Sequence, residues 1–192
     1  MDRTLGLAAG DVRVRVVRSE DAAAIAALKA PWVDETPYNF SFAAPSADEI
    51  AVEIERTLER YPFLVAERVC DGEVLGYAEA EPYRSRGADG WNVELGIYLA
   101  RGLRGRGLGA LLYRELFGYL RRQGVQNAYA CVTASNAASL VFHARQGFCE
   151  VGRFPATGYK LGEWHETVYL WKSLGDHACP PPEFIPFSQL KV

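Results

Sequence analysis

The segment Arg104-Gly105-Arg106-Gly107-Leu108-Gly109 lies between a stretch with strand character and one with helical character. That order suits an anion. The first turn of a helix carries N–H groups without intrahelical acceptors, and the helix dipole places positive potential there. Glycine lets a phosphate come close to the backbone, and Arg104 and Arg106 add charge. The segment is not a Walker loop, because no Gly-Lys-Ser/Thr follows. Nor is it a dinucleotide fingerprint: the strand before it is far from the start of the fold, and no acidic residue follows a second strand at the right distance. For this segment alone, a flexible Arg/Gly loop is the plainer alternative.

Two further side chains could move protons. Glu94 interrupts the mostly apolar run Trp91-Asn92-Val93-Glu94-Leu95-Gly96-Ile97-Tyr98-Leu99. It is either a solvated strand-edge carboxylate or a group facing a cleft, where partial burial would raise its pKa towards that of a useful base. Gly96 fits a bulge or a close approach. On a helix, Asn136, Ser139 or Leu140, and His143 share one face, and His143 is either a satisfied interior residue or a proton carrier. Arg84 and Arg86 are either surface charge or a clamp for a carboxylate or phosphinate. Residues 31–45 hold three prolines with Trp32, Tyr38, Phe40 and Phe42, an aromatic loop that either covers a ligand or packs on a sheet.

The elements that would place these groups can be read from periodicity. Val12–Val16 alternates as a strand. Ser19-Glu20-Asp21 opens a helix through Ala22–Lys29 that Pro31 ends. Ser46 and Glu49 form a capping box for a helix to about Arg60. Phe63–Ala66 is a buried strand, and Asp71-Gly72 turns it into Val74–Ala78. A loop at 82–91 precedes a strand at 92–100. A helix at 108–122 closes at Gly124, and a strand follows at 128–132. Asn136 opens a helix that Gly147 ends, before strands near 148–153 and 166–172. This order gives an α/β fold with a mixed sheet, in which strands 92–100 and 128–132 run parallel because a helix crosses between them.

Composition narrows the function. The 192 residues suit one domain, and 49% hydrophobic with 23% charged residues can build a core. A net charge of -3 with one short arginine cluster disfavours nucleic acid. The cysteines Cys70, Cys131, Cys149 and Cys179 form no C-x-x-C pair, and His is scarce, so no zinc or redox centre is expected. Cys131 and Cys149, in apolar stretches, are expected to be buried. No apolar run reaches the roughly 20 residues of a membrane span. The expectation is a soluble cytoplasmic protein with no metal, nucleic-acid or membrane partner.

Arg104-x-x-Gly107-x-Gly109 resembles the pyrophosphate loop of the GNAT acetyltransferases. Asn136-Ala137-Ala138-Ser139 and Gln146-Gly147-Phe148 resemble that family's second cofactor element. Over residues ~12–174 the pattern is most similar to the phosphinothricin (methionine sulfoximine) N-acetyltransferases. Tyr61-Pro62-Phe63-Leu64-Val65-Ala66-Glu67, Pro82-Tyr83-Arg84-Ser85-Arg86 and Gly158-Tyr159-Lys160-x-Gly162-x-Trp164 carry that likeness.

The resemblance implies a GNAT fold, with a mostly antiparallel central sheet flanked by helices, over residues 11–174. A loose leader at 1–10 and a Pro-rich extension at 175–192 flank it. It implies an acetyl-CoA-dependent N-acetyltransferase for the α-amino group of a small amino-acid analogue, working as a homodimer. Glu94 and His143 are then the catalytic pair, one base and one acid. Ile97, Tyr98, Leu99, Arg104, Gly105, Arg106, Gly107, Leu108, Gly109, Ala110, Asn136 and Ser139 hold acetyl-CoA. Phe40, Tyr83, Arg84, Arg86 and Trp91 bind the amine substrate. Two other readings share the motifs: acetylation of a protein or peptide amine, and a non-catalytic acyl-CoA-binding module.

Overall fold

The computed structural model describes residues 4–7 and 10–190. Among these residues eight strands and four α-helices follow in order: β1 Thr4–Leu7, β2 Gly10–Val16, α1 Ala22–Asp34, α2 Ala47–Arg60, β3 Phe63–Arg68, β4 Val74–Pro82, β5 Asn92–Leu99, α3 Leu108–Arg122, β6 Asn127–Thr133, α4 Ala137–Arg145, β7 Cys149–Lys160 and β8 Glu163–Ser173. They form one sheet in the order β1-β2-β3-β4-β5-β6-β8-β7. Every neighbouring pair is antiparallel except β5 and β6, which α3 joins by a crossover as expected.

The two faces of the sheet differ. One packs against α3 through the apolar side chains of Val93, Leu95, Ala128, Ala130, Leu112 and Leu116. The other carries α1 and α2 through Ile25, Ile50, Ile54, Phe63, Val65 and Tyr77. Strand alternation puts Glu79, Glu81, Glu94 and Tyr98 on that second face, since Glu79 pairs with Phe63, Tyr98 pairs with Tyr77, and Glu81 pairs with Glu94 at even spacing along the same strands.

Several expectations are corrected. The leader at 1–10 contains β1, which pairs from Thr4↔Arg13 to Leu7↔Gly10 and so covers the edge of β2; residues 1–3 and 8–9 lie outside the described set. Pro31 does not end α1. The helix runs on to Asp34 because tertiary contacts hold its last turn: Trp32 and Val33 are buried, Trp32 Nε1 donates to Leu99 O at 3.2 Å, and Thr36 Oγ1 donates to Trp32 O. The Asp71-Gly72 turn is wider than a two-residue hairpin, with Gly72 at φ 76 and a register shift at Ala66/Glu67. β7 and β8 reach further than expected, to a tip where Leu161 and Gly162 both have positive φ, the conformation of a tight hairpin turn. Cys131 and Cys149 are exposed. The Pro-rich extension is irregular but docked: Trp91 Nε1 donates to Pro182 O at 2.7 Å, Gln123 Nε2 donates to Ile185 O at 2.9 Å, and Phe187 is buried.

Candidate active site

β5 and β6 pair only through Asn92↔Asn127, Val93↔Ala128 and Glu94↔Tyr129. Beyond that point each strand follows its other neighbour. β5 stays with β4 as far as Leu99↔Gly76, and β6 stays with β8 as far as Thr133↔Thr167. The strands part and leave a cleft of about 720 Å³. Leu95 to Leu99 form one wall and Ala130 to Thr133 the other, with the start of α3 and the inner side of α4 above.

Arg104, Gly105, Gly107, Gly109 and Ala110 line this cleft. Gly107 is the N-cap of α3 at φ 85, a left-handed conformation that favours glycine, and no side chain caps the helix. The first-turn N–H groups therefore have neither an intrahelical acceptor nor a side-chain cap. Gly109 is required by packing, because a Cβ there would meet Phe142 at 2.9 Å. The Arg104 guanidinium stacks 4.4 Å above the Trp32 ring, which fixes its charge at the cleft mouth. Ile97, Tyr98, Leu99, Asn136 and Ser139 also line the cleft. Asn136 caps α4 by accepting Ser139 N–H at 3.3 Å. The Leu108 side chain turns into the core at 1% exposure while its backbone opens the first turn of α3, and Arg106 is exposed outside the cleft wall. A second hollow of about 470 Å³ continues from Gly107 and Ala110, bordered by Arg114, Arg121, Arg145 and Lys172. A slot between strands, an open helix start and a basic hollow fit the acyl arm and the phosphates of acetyl-CoA.

Glu94 is the last β5 residue paired with β6, half-buried where the strands begin to part. Its pKa is raised, by burial first and then by the neighbouring Glu81 carboxylate. Tyr83 stacks on Tyr129, the β6 partner of Glu94, at 4.2 Å, and the Arg84 guanidinium lies 4.9 Å over Tyr83. Tyr83 and Arg84 thus gather beside Glu94, while Arg86 is exposed in the same loop. Trp91 is not part of this group, since its indole N–H holds the C-terminal extension. Phe40 also sits apart from the cleft wall and stacks on His165.

His143 reaches the cleft wall but is 2% exposed. Its Nδ1 lies 2.8 Å from Ser139 O and its Nε2 lies 2.9 Å from the Tyr113 hydroxyl. A carbonyl can only accept, so Nδ1 carries the proton and Nε2 accepts from Tyr113. Burial lowers its pKa, and Tyr113, Phe142 and Phe148 enclose the ring. With both nitrogens engaged, this neutral imidazole has no free site for a substrate proton. In this arrangement His143 is a buried group of the cleft wall, hydrogen-bonded to Tyr113 and Ser139.

Trp32 and Tyr38 of the aromatic 31–45 segment line the cleft, whereas Cys131 and Thr133, also in its wall, were not singled out as site residues from sequence. Alternation along Tyr77-x-Glu79-x-Glu81 was the readable signal for another feature. Glu79 is 4% exposed beneath Gly96, and a Cβ on Gly96 would lie 3.0 Å from its Oε1. This is the close approach expected at Gly96, without a bulge. Burial, then Glu53, pushes the Glu79 carboxyl well up. Glu53, Glu79 and Glu81 could together face a metal ion, but Lys29 already supplies positive charge there, 3.5 Å from Glu53.

Residues 14–169 match the family model described as an acetyltransferase (GNAT) domain. A phosphinothricin N-acetyltransferase of Streptomyces viridochromogenes is 31% identical over 179 residues, 93% of this chain and 96% of that protein. An L-methionine sulfoximine/L-methionine sulfone acetyltransferase of Pseudomonas aeruginosa is 36% identical over 126 residues, 66% of this chain and 73% of that protein. The solved phosphinothricin acetyltransferase of Sinorhizobium meliloti in complex with acetyl-CoA superposes with a TM-score of 0.84 at 28% identity, covering 96% of this chain and 98% of that one.

Proposed function

Because this chain belongs to the GNAT acetyltransferase family, we propose that it moves the acetyl group of acetyl-CoA onto the α-amino group of a small amino-acid analogue of the phosphinothricin or methionine sulfoximine type. The observation that carries this reading is the parting of β5 and β6 beside an uncapped helix start, with a carboxylate of raised pKa at the fork. The thioester supplies an activated acyl group, and the protein's task is to place it and to deprotonate the amine. The α3 N-terminus and Arg104 hold the pyrophosphate, and the basic hollow takes the nucleotide phosphate. The β5 edge over Ile97–Leu99 flanks the acyl arm. Arg84, over Tyr83, meets the substrate's acidic group.

Glu94 is the base, acting directly or through a water. A carboxylate whose pKa is raised stays protonated to higher pH, so the basic form, and with it the rate, increases as pH climbs through that value. Glu94→Gln keeps the shape and removes the base. Its kcat/KM at neutral pH should fall roughly 10²–10⁴-fold. The loss should shrink as pH nears the amine's own pKa, where substrate arrives deprotonated. A pH–rate profile that Glu94→Gln leaves unchanged would sink this assignment.

The enzyme works in the cytoplasm as a homodimer. Tyr159, Leu161 and Trp164 support the dimer, since they expose 51%, 59% and 66% of their surface on the β7–β8 hairpin. Light scattering that gave the monomer mass at working concentration would refute the dimer.

A further inference from the structure

One sequence signature has no part in the chemistry described so far: Gly158-Tyr159-Lys160-x-Gly162-x-Trp164. Alternation along β7 turns Tyr159 outward and buries Gly158 and Lys160. Lys160 is 5% exposed, and among the described residues its ammonium hydrogen bonds go to carbonyls, with the Asp34 carboxylate nearby as the charge that favours it. Its Nζ donates to Val33 O at 2.5 Å, Asn39 O at 2.6 Å and Ser41 O at 2.6 Å. An ammonium has three protons, and each is spent on a backbone carbonyl at the end of α1 or in the loop after it. Burying a charge is costly unless hydrogen bonds compensate it, so this arrangement holds only while all three carbonyls converge.

The loop that Lys160 grips is the aromatic segment after α1, and it faces the cleft. Tyr38 is part of the cleft wall. Asn39 Nδ2 donates to the Tyr98 hydroxyl at 2.8 Å, and Thr133 Oγ1 donates to Pro37 O at 2.8 Å, so the loop is tied to both parted strands. The hairpin adds a second hold beside the ammonium. Phe40 packs flat against Gly158, where a Cβ would overlap its ring, and stacks on His165, whose Nε2 lies 2.9 Å from Lys160 O.

The geometry points to Lys160 as a positioning residue: its ammonium fixes the 36–42 loop across β5 and β6, and through Tyr38 and Asn39 it shapes the amine side of the cleft. This rests on the acetyltransferase reading, with Lys160 touching neither substrate. Its acceptors are Val33, Asn39 and Ser41 and not the N–H groups of the α3 first turn, so its loss should act more on the amine than on the cofactor.

The test is Lys160→Met, which keeps the stem and removes the three donors. Three quantities are measured: kcat/KM for methionine sulfoximine, Kd for acetyl-CoA without amine, and hydrogen exchange of the 38–42 amides. We expect kcat/KM for the amine to fall at least tenfold, Kd for acetyl-CoA to move less than threefold, and exchange to speed up in 38–42 but not in α3. Unchanged loop exchange in the folded variant overturns the proposal. So does an acetyl-CoA affinity that falls as much as the amine term. Should Lys160→Met not fold, Lys160→Gln keeps polarity but cannot supply all three donors; unaltered loop exchange there also overturns it. Exchange needs no turnover, so wild-type protein inactive on every amine would defeat the acetyltransferase reading without touching this result.

Discussion

α2 and α3 begin in opposite ways. Ser46 starts α2 with a full capping box: its Oγ accepts Glu49 N–H at 3.2 Å, and Glu49 Oε2 accepts Ser46 N–H at 2.7 Å. Asp48 and Glu49 place negative charge in that first turn, where it complements the dipole. α3 has a glycine cap at φ 85, no side-chain acceptor and no acidic residue in its first turn. α4 stands between the two, with an Asn136 cap and no first-turn acid. A helix start built only for stability satisfies its own donors. One that leaves its donors and its positive end open, inside a cleft, is shaped for an anion from outside.

The largest effect should come from giving α3 what α2 already has. Gly107→Asp places a carboxylate at the helix start, where it competes with the pyrophosphate for the same N–H groups. Losing charge-assisted bonds there should weaken acetyl-CoA binding on the order of hundredfold, about 2.7 kcal/mol. Calorimetric titration measures it, and unchanged affinity in a folded variant would remove α3 from the cofactor site. Asn136→Ala comes next. Removing a cap costs about 1 kcal/mol of stability, and since Asn136 lines the cleft, acetyl-CoA affinity should fall roughly tenfold as well. If stability falls and affinity does not, α4 belongs with α2 as a merely capped helix.

What could be read from sequence follows the same division between local and distant causes. The α3 bounds, the Ser46 cap, the Asn136 cap and the parallel β5–β6 pair depend on a few neighbouring residues or on one crossover, and they hold in the structure. Glu94 could be singled out because a carboxylate in an apolar strand is a local anomaly. Pro31 failed as a stop because Trp32 and Val33, anchored far along the chain, override a local preference. Trp91 and His143 have the right residue types for a site, but their hydrogen-bond partners, Pro182 and Tyr113, are 91 and 30 positions away. The ammonium of Lys160 spans more than a hundred positions to its acceptors. No periodicity reports such a contact.

The smallest effect sharpens the comparison from the other side. Ser46→Ala should destabilise the fold by about 1 kcal/mol, a drop in Tm of about 2–4 °C for a chain of this size. Acetyl-CoA affinity should not move, because Ser46 and Glu49 are exposed and absent from the cleft wall. The pH dependence has a definite sign. Hydrogen bonds from the Ser46 N–H and then its hydroxyl hold the Glu49 pKa below its usual value. A depressed carboxylate contributes stability above its unfolded pKa and loses it as pH falls through its folded one. The gap in Tm between wild type and Ser46→Ala should therefore be full at neutral pH and narrow in acid, as Glu49 takes up its proton and the reciprocal cap weakens. Thermal melts from pH 7 to pH 3 measure this. A gap independent of pH would mean that hydroxyl and carboxylate act separately at α2. A shift in acetyl-CoA affinity would mean that a helix start outside the cleft still reaches the cofactor site, and the division between closed and open helix starts would fail.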